Sequence, residues 1–302
     1  MEGKEGRVIR SVRNHPRRRG VGLIMKPILL LFAAALVSCA ATIEDVPYVE
    51  NGHELQKLDI HAPLRKSESP RPVVVAIHGG GWAFGDKSNS GFLRPKTGWF
   101  KRHGFVVVSV NYRLSPEVTH PGHIEDVCKA IAWVEKNIAK HGGDPQQIYL
   151  IGHSAGAHLA ALAAVDQTRL KKAGGDPAAI RGVILIDGAC YDVPRQMRSG
   201  TPFAKDDGMY AKAFTTDTKV QRDASPASKV TAKPPPFLIL HVKNRRDSTE
   251  QSEILARALR KKGGKVVVEG IYGKNHMTIN SSFGLPDDAT TKAAAQFLGL
   301  DE

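Results

Sequence analysis

Cysteine is scarce in this chain: Cys39, Cys128 and Cys190 are the three among 302 residues. So few thiols exclude a disulfide framework as the source of stability, and Cys128 and Cys190, each in an apolar segment, read as separate core residues. No Cys/His cluster has zinc-ligand spacing, so neither a metal nor any other cofactor is expected. Internal repeats and interdomain linkers are also missing, and 302 residues with 41% hydrophobic content suffice for one full core. Acidic residues are in deficit, 30 against 43 basic, for a net charge of +13. The excess is scattered beyond residue 38 rather than gathered in blocks, which speaks for a solvated basic surface and against nucleic-acid binding.

Long hydrophobic runs are missing too, apart from Ile28 to Val37. That run is too short to span a bilayer comfortably but suits the apolar region of a secretory signal, so residues 1–38 are expected to be a leader and 39–302 the catalytic domain. Leu36-Val37-Ser38-Cys39 resembles the lipobox of bacterial lipoproteins. The resemblance implies cleavage before Cys39, a lipid on its thiol, and an exported protein at the bacterial cell envelope. An unlipidated signal is the alternative. Residues 1–24 either extend the signal's basic region or precede a true start at Met25, and Arg18-Arg19 fits twin-arginine export poorly.

Strand-like and helix-like segments alternate along the rest, the pattern of a mostly parallel central sheet with helices on both faces. Val73–Ile77, Phe105–Val110, Ile148–Ile151, Val183–Ile186, Phe237–Val242 and Val266–Ile271 read as buried central strands, and Leu55–Ile60 as an antiparallel strand at the sheet's edge. Ile124, Val127, Ile131, Val134 and Ile138 recur at helical spacing before Gly142-Gly143, and Leu255 and Leu259 mark a second helix. The stretch 187–236, rich in proline, reads as a small irregular cap segment or a purely structural excursion.

Gly152-His153-Ser154-Ala155-Gly156 joins a strand to a helix of small residues. A G-x-S-x-G turn there lifts a serine out of the sheet, making Ser154 the candidate nucleophile. His78-Gly79-Gly80-Gly81-Trp82 follows an earlier strand without the Gly-Lys-Ser/Thr of a phosphate loop. It is suited to oxyanion-hole amides, from Gly80 and Gly81 alongside Ala155. Among twelve histidines, His276 meets the chain order Ser, acid, His, and lies just past the last strand. His78, His153, His158 and His241 read as structural. The acid is expected at Asp247, after Phe237–Val242, with Asp192 the second choice and Glu250 the third; the alternative for Asp247 is a loop carboxylate paired with Arg245 or Arg246. Asp126 reads as a structural helix carboxylate. Trp82, Phe84 and Tyr112 are candidate substrate-binding walls, with Phe203 and Tyr210 behind them.

Together with Asn111-Tyr112-Arg113-Leu114 and Ala157-His158-Leu159-Ala160, these motifs resemble the α/β-hydrolase superfamily over about residues 45–302, in particular the hormone-sensitive-lipase-like esterases and the kynurenine formamidase-like hydrolases. The resemblance implies the α/β-hydrolase fold and acyl transfer from a small-molecule ester through Ser154, His276 and Asp247, with activity falling as pH drops through about 6 to 7. An arylformamidase or amidase is the alternative, and a non-catalytic binding protein on the same fold a third. His153 departs from the Asp usual in the lipase-like group. In many relatives the acid lies four residues after the histidine that ends its strand, whereas Asp247 lies six after His241. Membrane contact is expected only through a lipid anchor, and the sequence carries no signal for oligomeric state.

Overall fold

The computed structural model describes residues 42–65 and 67–300; the expected leader and Cys39 lie outside them. Eight strands form one sheet: β1 (Thr42–Pro47), β2 (Lys57–His61), β3 (Arg71–Ile77), β4 (Val106–Val110), β5 (Gly143–His153), β6 (Ile180–Ile186), β7 (Phe237–Val242) and β8 (Val266–Ile271), in the order β1-β2-β4-β3-β5-β6-β7-β8. From β4 to β8 all pairings are parallel, while β2 pairs antiparallel with both β1 and β4.

Eleven α-helices are described: α1 (Ser90–Arg102), α2 (Gly122–Asn137), α3 (Ala155–Val165), α4 (Gln167–Lys172), α5 (Val193–Met197), α6 (Met209–Phe214), α7 (Thr218–Asp223), α8 (Pro226–Lys229), α9 (Arg246–Lys261), α10 (Thr278–Ser281) and α11 (Ala289–Leu298). Alternate strand residues feed two cores. Val73, Val75 and Ile77 face the core shared with α2, α3 and α9, through Ile124, Leu159 and Leu255. Val74 and Ala76 face the core of α1 and α11, through Phe100 and Ala294. This is the period-two pattern of a sheet covered on both sides. Cys128 and Cys190 are buried and unbridged.

Two strand assignments need correction. The Leu55–Ile60 segment forms β2, one place in from the edge, because β1 adds outside it. Val266–Ile271 is the opposite edge rather than a central strand, and Val267 stands 53% exposed. The segment between β6 and β7 holds α5 to α8.

The register brings the carboxyl ends of the parallel strands to one level. Ile77 pairs with Gly152, His153 with Ile186, Ile186 with Leu240, and Val242 with Ile271. Ligand sites of open α/β sheets form at this edge.

Candidate active site

Ser154 follows β5 with φ 56° and ψ −121°, a strained conformation for a residue with a side chain. Its amide donates to Ile186 O at 3.0 Å, which fixes the turn against the next strand. The flanking glycines are required by contact distance. A Cβ on Gly152 would lie 2.2 Å from Gly156 O, and one on Gly156 would lie 2.1 Å from Ile77 O. The chain therefore turns sharply and α3 starts hard against the end of β3. The small side chains of α3, buried on every face, allow that approach.

His276 lies between β8 and α10. Asn275 holds this corner, its Oδ1 accepting from the amides of Met277 and Thr278 at 2.9 Å each. His153 holds it from below, donating from Nε2 to His276 O at 2.8 Å. Burial, and then the neighbouring His276, lower the His153 pKa to about 3, so its ring stays neutral and keeps the Nε2 proton for that bond. His276 Nε2 is 3.1 Å from Ser154 Oγ.

The carboxylate at the other ring nitrogen is Asp187, with Oδ2 2.6 Å from His276 Nδ1. Asp187 directly follows β6 and is fully buried. Its amide donates to Leu240 O at 2.7 Å, and its Oδ1 accepts from Val242 N–H at 3.0 Å. Burial alone would push this carboxyl up. The His276 hydrogen bond, the Arg245 charge and the Ser248 and Val242 donors override it and hold the group well below the usual carboxylate range. With its proton held on Nδ1 by Asp187, the imidazole offers a lone pair at Nε2 to the Ser154 hydroxyl.

Asp247 does not meet the histidine, which corrects the expected acid. It lies in the first turn of α9, and its two oxygens accept from Arg245 Nε and Nη2 at 3.1 Å each. Asp192 caps α5 by accepting from Arg195 N–H at 3.0 Å, and Glu250 pairs with Arg195. Asp187 is not among the sequence candidates: it lies five residues before Asp192, directly at the end of β6. The signal was present in Ile186-Asp187-Gly188, a carboxylate at the end of the strand beside the serine's own.

A cavity of about 1370 Å³ opens onto Ser154 and His276. Gly80, Gly81 and Ala155 line it, and Gly79 lies so close to the serine that a Cβ there would be 3.2 Å from Ser154 Cβ. Asn111 braces the turn that follows this glycine loop, accepting from Lys87 N–H at 2.6 Å and donating to Asp86 at 2.7 Å. Of the expected walls, Phe84 lines the cavity and is 72% exposed. Trp82 touches it but is packed edge-on against His158, Tyr210 and Phe214. Tyr112 is not a wall: fully buried, it stacks on His78 and donates to His78 O at 3.2 Å. Phe203, Met209 and Tyr210 enter the lining from the segment between β6 and β7.

His158, His241 and Asp126 are absorbed by structure. His158 donates from Nε2 to Ala224 O, and His241 Nδ1 lies 3.0 Å from Thr249 Oγ1. Asp126, fully buried in α2, accepts from Arg113 and Gln56. Among the described residues, no group of three or more His, Cys, Asp or Glu could hold a metal ion, and no helix is long and apolar enough to cross a membrane.

The profile of the BD-FAE family matches residues 58–259. Esterase LipQ of Mycobacterium tuberculosis is 33% identical over 279 residues, covering 86% of this chain and 63% of LipQ. The probable carboxylic ester hydrolase LipM of the same organism is 34% identical over 207 residues, covering 66% of this chain and 47% of LipM. The chain thus spans less than two thirds of the length of these relatives. Among solved structures, a truncated carbohydrate esterase from gut microbiota matches with a TM-score of 0.73 at 23% identity, covering 88% of this chain and 97% of its own. Thermogutta terrifontis esterase 2, in its apo form, matches with a TM-score of 0.67 at 25% identity, covering 86% and 94%. The eight-stranded, mostly parallel sheet is the α/β-hydrolase fold.

Proposed function

The chain belongs to the BD-FAE family of the α/β-hydrolase superfamily, and from its site we propose that it is a carboxylic ester hydrolase acting through an acyl-enzyme on Ser154, with His276 as base and Asp187 as its orienting acid. The observation that carries this is the unbroken chain from Ser154 Oγ to His276 Nε2 at 3.1 Å and from His276 Nδ1 to Asp187 Oδ2 at 2.6 Å. Both spacings are within reach for proton transfer and orientation.

His276 takes the serine proton as Oγ attacks the ester carbonyl. The amides of Gly80, Gly81 and Ala155 receive the oxyanion, aided by the α3 amino terminus. The imidazolium, paired with Asp187, then gives its proton to the departing alcohol. Water attacks the acyl-enzyme by the same route in reverse and frees the acid. The segment 187–236 caps the cavity and shapes its outer wall. The apolar run 28–37 ahead of Cys39 supports export and lipid anchoring, which loss of lipid labelling in Cys39→Ser would test.

Reaction with a fluorophosphonate probe and turnover of p-nitrophenyl acetate test the central reading. Wild type is expected to label and turn over, and Ser154→Ala to do neither. Labelling of both proteins, or of neither, overturns it. Turnover of an aryl formamide well above that of the ester would move the chain to the amide-cleaving reading.

A further inference from the structure

The position four residues after His241 holds Arg245. Its guanidinium is divided between two carboxylates. Nη1 lies 2.6 Å from Asp187 Oδ2 and 2.6 Å from His276 Nδ1, while Nε and Nη2 fork onto Asp247 at 3.1 Å each. Nδ1, Oδ2 and Nη1 therefore form a triangle with 2.6 Å sides. We propose that Arg245 is a positioning residue that sets the lower pH limit of catalysis, its charge opposing the His276 imidazolium and Asp247 offsetting that charge. The proposal rests on Ser154, His276 and Asp187 working as described above.

The charge around Oδ2 changes with each stage of the reaction. At rest the ring is neutral, and Arg245 compensates a buried carboxylate that would otherwise be costly. When the ring takes the serine proton, two cations share Oδ2. The same triangle offers two tautomers. With its proton on Nδ1 the ring donates to Asp187. With its proton on Nε2 it accepts from Arg245 and presents a donor to Ser154, which cannot act as base. Both effects oppose a second positive charge beside Oδ2, so the position of the acid limb should depend on the guanidinium charge. Asp247, which touches only the far side of the guanidinium, works in the opposite direction.

The other groups around His276 leave this balance in place. His153, whose ring centroid is 4.5 Å away, is neutral through burial. On the ring's own loop Lys274 is paired with Asp288, ahead of α11. From α1, Lys96 donates to Phe92 O and Asn280 O, and burial lowers its pKa to about 7. At the start of α9, Arg246 and Glu250 line the cavity, Glu250 engaged by Arg195. Arg245 and Asp247 are the charged pair, two residues apart, in which opposite substitutions should give opposite results.

The test is the pH profile of kcat/KM for a neutral p-nitrophenyl ester between pH 4.5 and 9, with folding checked by circular dichroism. Arg245→Gln should move the acid limb up by about one pH unit, and Asp247→Asn should move it down by about half a unit. Arg245→Lys, which keeps the charge, should restore the limb to near the wild-type position. A merely structural role would lower the plateau without opposed shifts of the limb. Shifts in the same direction, or no shift in either variant, overturn the proposal while probe labelling of Ser154 leaves the triad reading standing. If Arg245→Gln does not fold, Asp247→Asn decides alone: a downward shift supports the proposal and an unmoved limb overturns it. Activity retained by Ser154→Ala would bring down the triad reading and this inference with it.

Discussion

Replacing Asp187 with Asn exchanges one carboxylate oxygen for an NH2 group and should remove nearly all turnover. In the native site Oδ1 accepts the Val242 amide at 3.0 Å, so an Asn would keep its carbonyl oxygen there and turn its NH2 toward His276 and Arg245. That NH2 is a donor facing Nδ1 across 2.6 Å, where the native carboxylate accepts. The ring would be forced to carry its proton on Nε2, toward Ser154, and would lose its function as a base. The same NH2 would face the Arg245 Nη1 donor, now short of its acceptor. An Asp→Asn change that inverts the tautomer in this way costs about 10⁴ in kcat, or about 5.4 kcal/mol at 1.36 kcal/mol per decade. Asp247→Asn leaves the His276 contacts in place and should cost less than about tenfold at pH 8, where the acid limb is passed. Steady-state hydrolysis of p-nitrophenyl butyrate at pH 8, normalised by burst titration of Ser154, compares the two. The reasoning fails if Asp187→Asn keeps a tenth of wild-type kcat, or if Asp247→Asn falls as far as Asp187→Asn.

Two further outcomes concern stability. Gly156→Ala would drive a Cβ to 2.1 Å from Ile77 O and 2.5 Å from His78 O, both backbone atoms that cannot swing aside. It should lower Tm by roughly 6 °C or more, from a cost of about 3 kcal/mol, and calorimetry showing a loss under about 1 °C would refute the contact argument. Burial, as the largest cause, lowers the pKa of His123 to about 4 and those of His153 and His158 to about 3, from 6.5. Below pH 6.5 the unfolded chain takes up protons that the folded chain refuses, so stability falls with pH by up to about 1.4 kcal/mol per unit for each histidine. Urea midpoints should therefore drop steeply from pH 6.5 to 5. His158→Gln, which keeps a donor for Ala224 O, should remove its own share of that slope, and an unchanged slope would discount His158.

Where local sequence determines local structure, the chain was legible. β3, β4, β6 and β7 are runs of β-branched and other apolar residues bounded by polar or glycine-containing turns, and they are buried at nearly every position. The sharp turn at Ser154 was legible because it needs glycine on both sides, and the place of His276 beside it because His276 follows the last strand. The sheet's margins were not. β1, Thr42-Ile43-Glu44-Asp45-Val46-Pro47, is almost wholly exposed and lacks apolar alternation; it is a strand because β2 offers it an edge to pair with. β8 misled in the opposite way, since Val266, Val267 and Val268 look like a core run although alternate residues face solvent. Tyr112 was misplaced because adjacency to a motif in sequence does not determine which side of the backbone a ring takes.

The acid shows the limit most sharply, for a physical reason. Chain order demands a carboxylate between Ser154 and His276, and Asp187 and Asp247 satisfy that equally. What separates them is height and direction at the sheet's edge. β6 and β7 end beside one another, with Ile186 opposite Leu240, so a carboxylate one residue past β6 and one a few residues past β7 are both brought toward the same imidazole. Arg245 decides between them in space. It occupies the position from which a β7 acid would reach Nδ1, turns Asp247 outward as its own counter-ion, and brings a cation to the carboxylate arriving from β6. Arg245→Asp alone would place two carboxylates at one ring nitrogen without a compensating charge, and should lower kcat. Relocating the acid would require removing the cation and the buried carboxylate together, so Arg245→Asp combined with Asp187→Asn is the substitution pair in which the two strand ends should prove interchangeable.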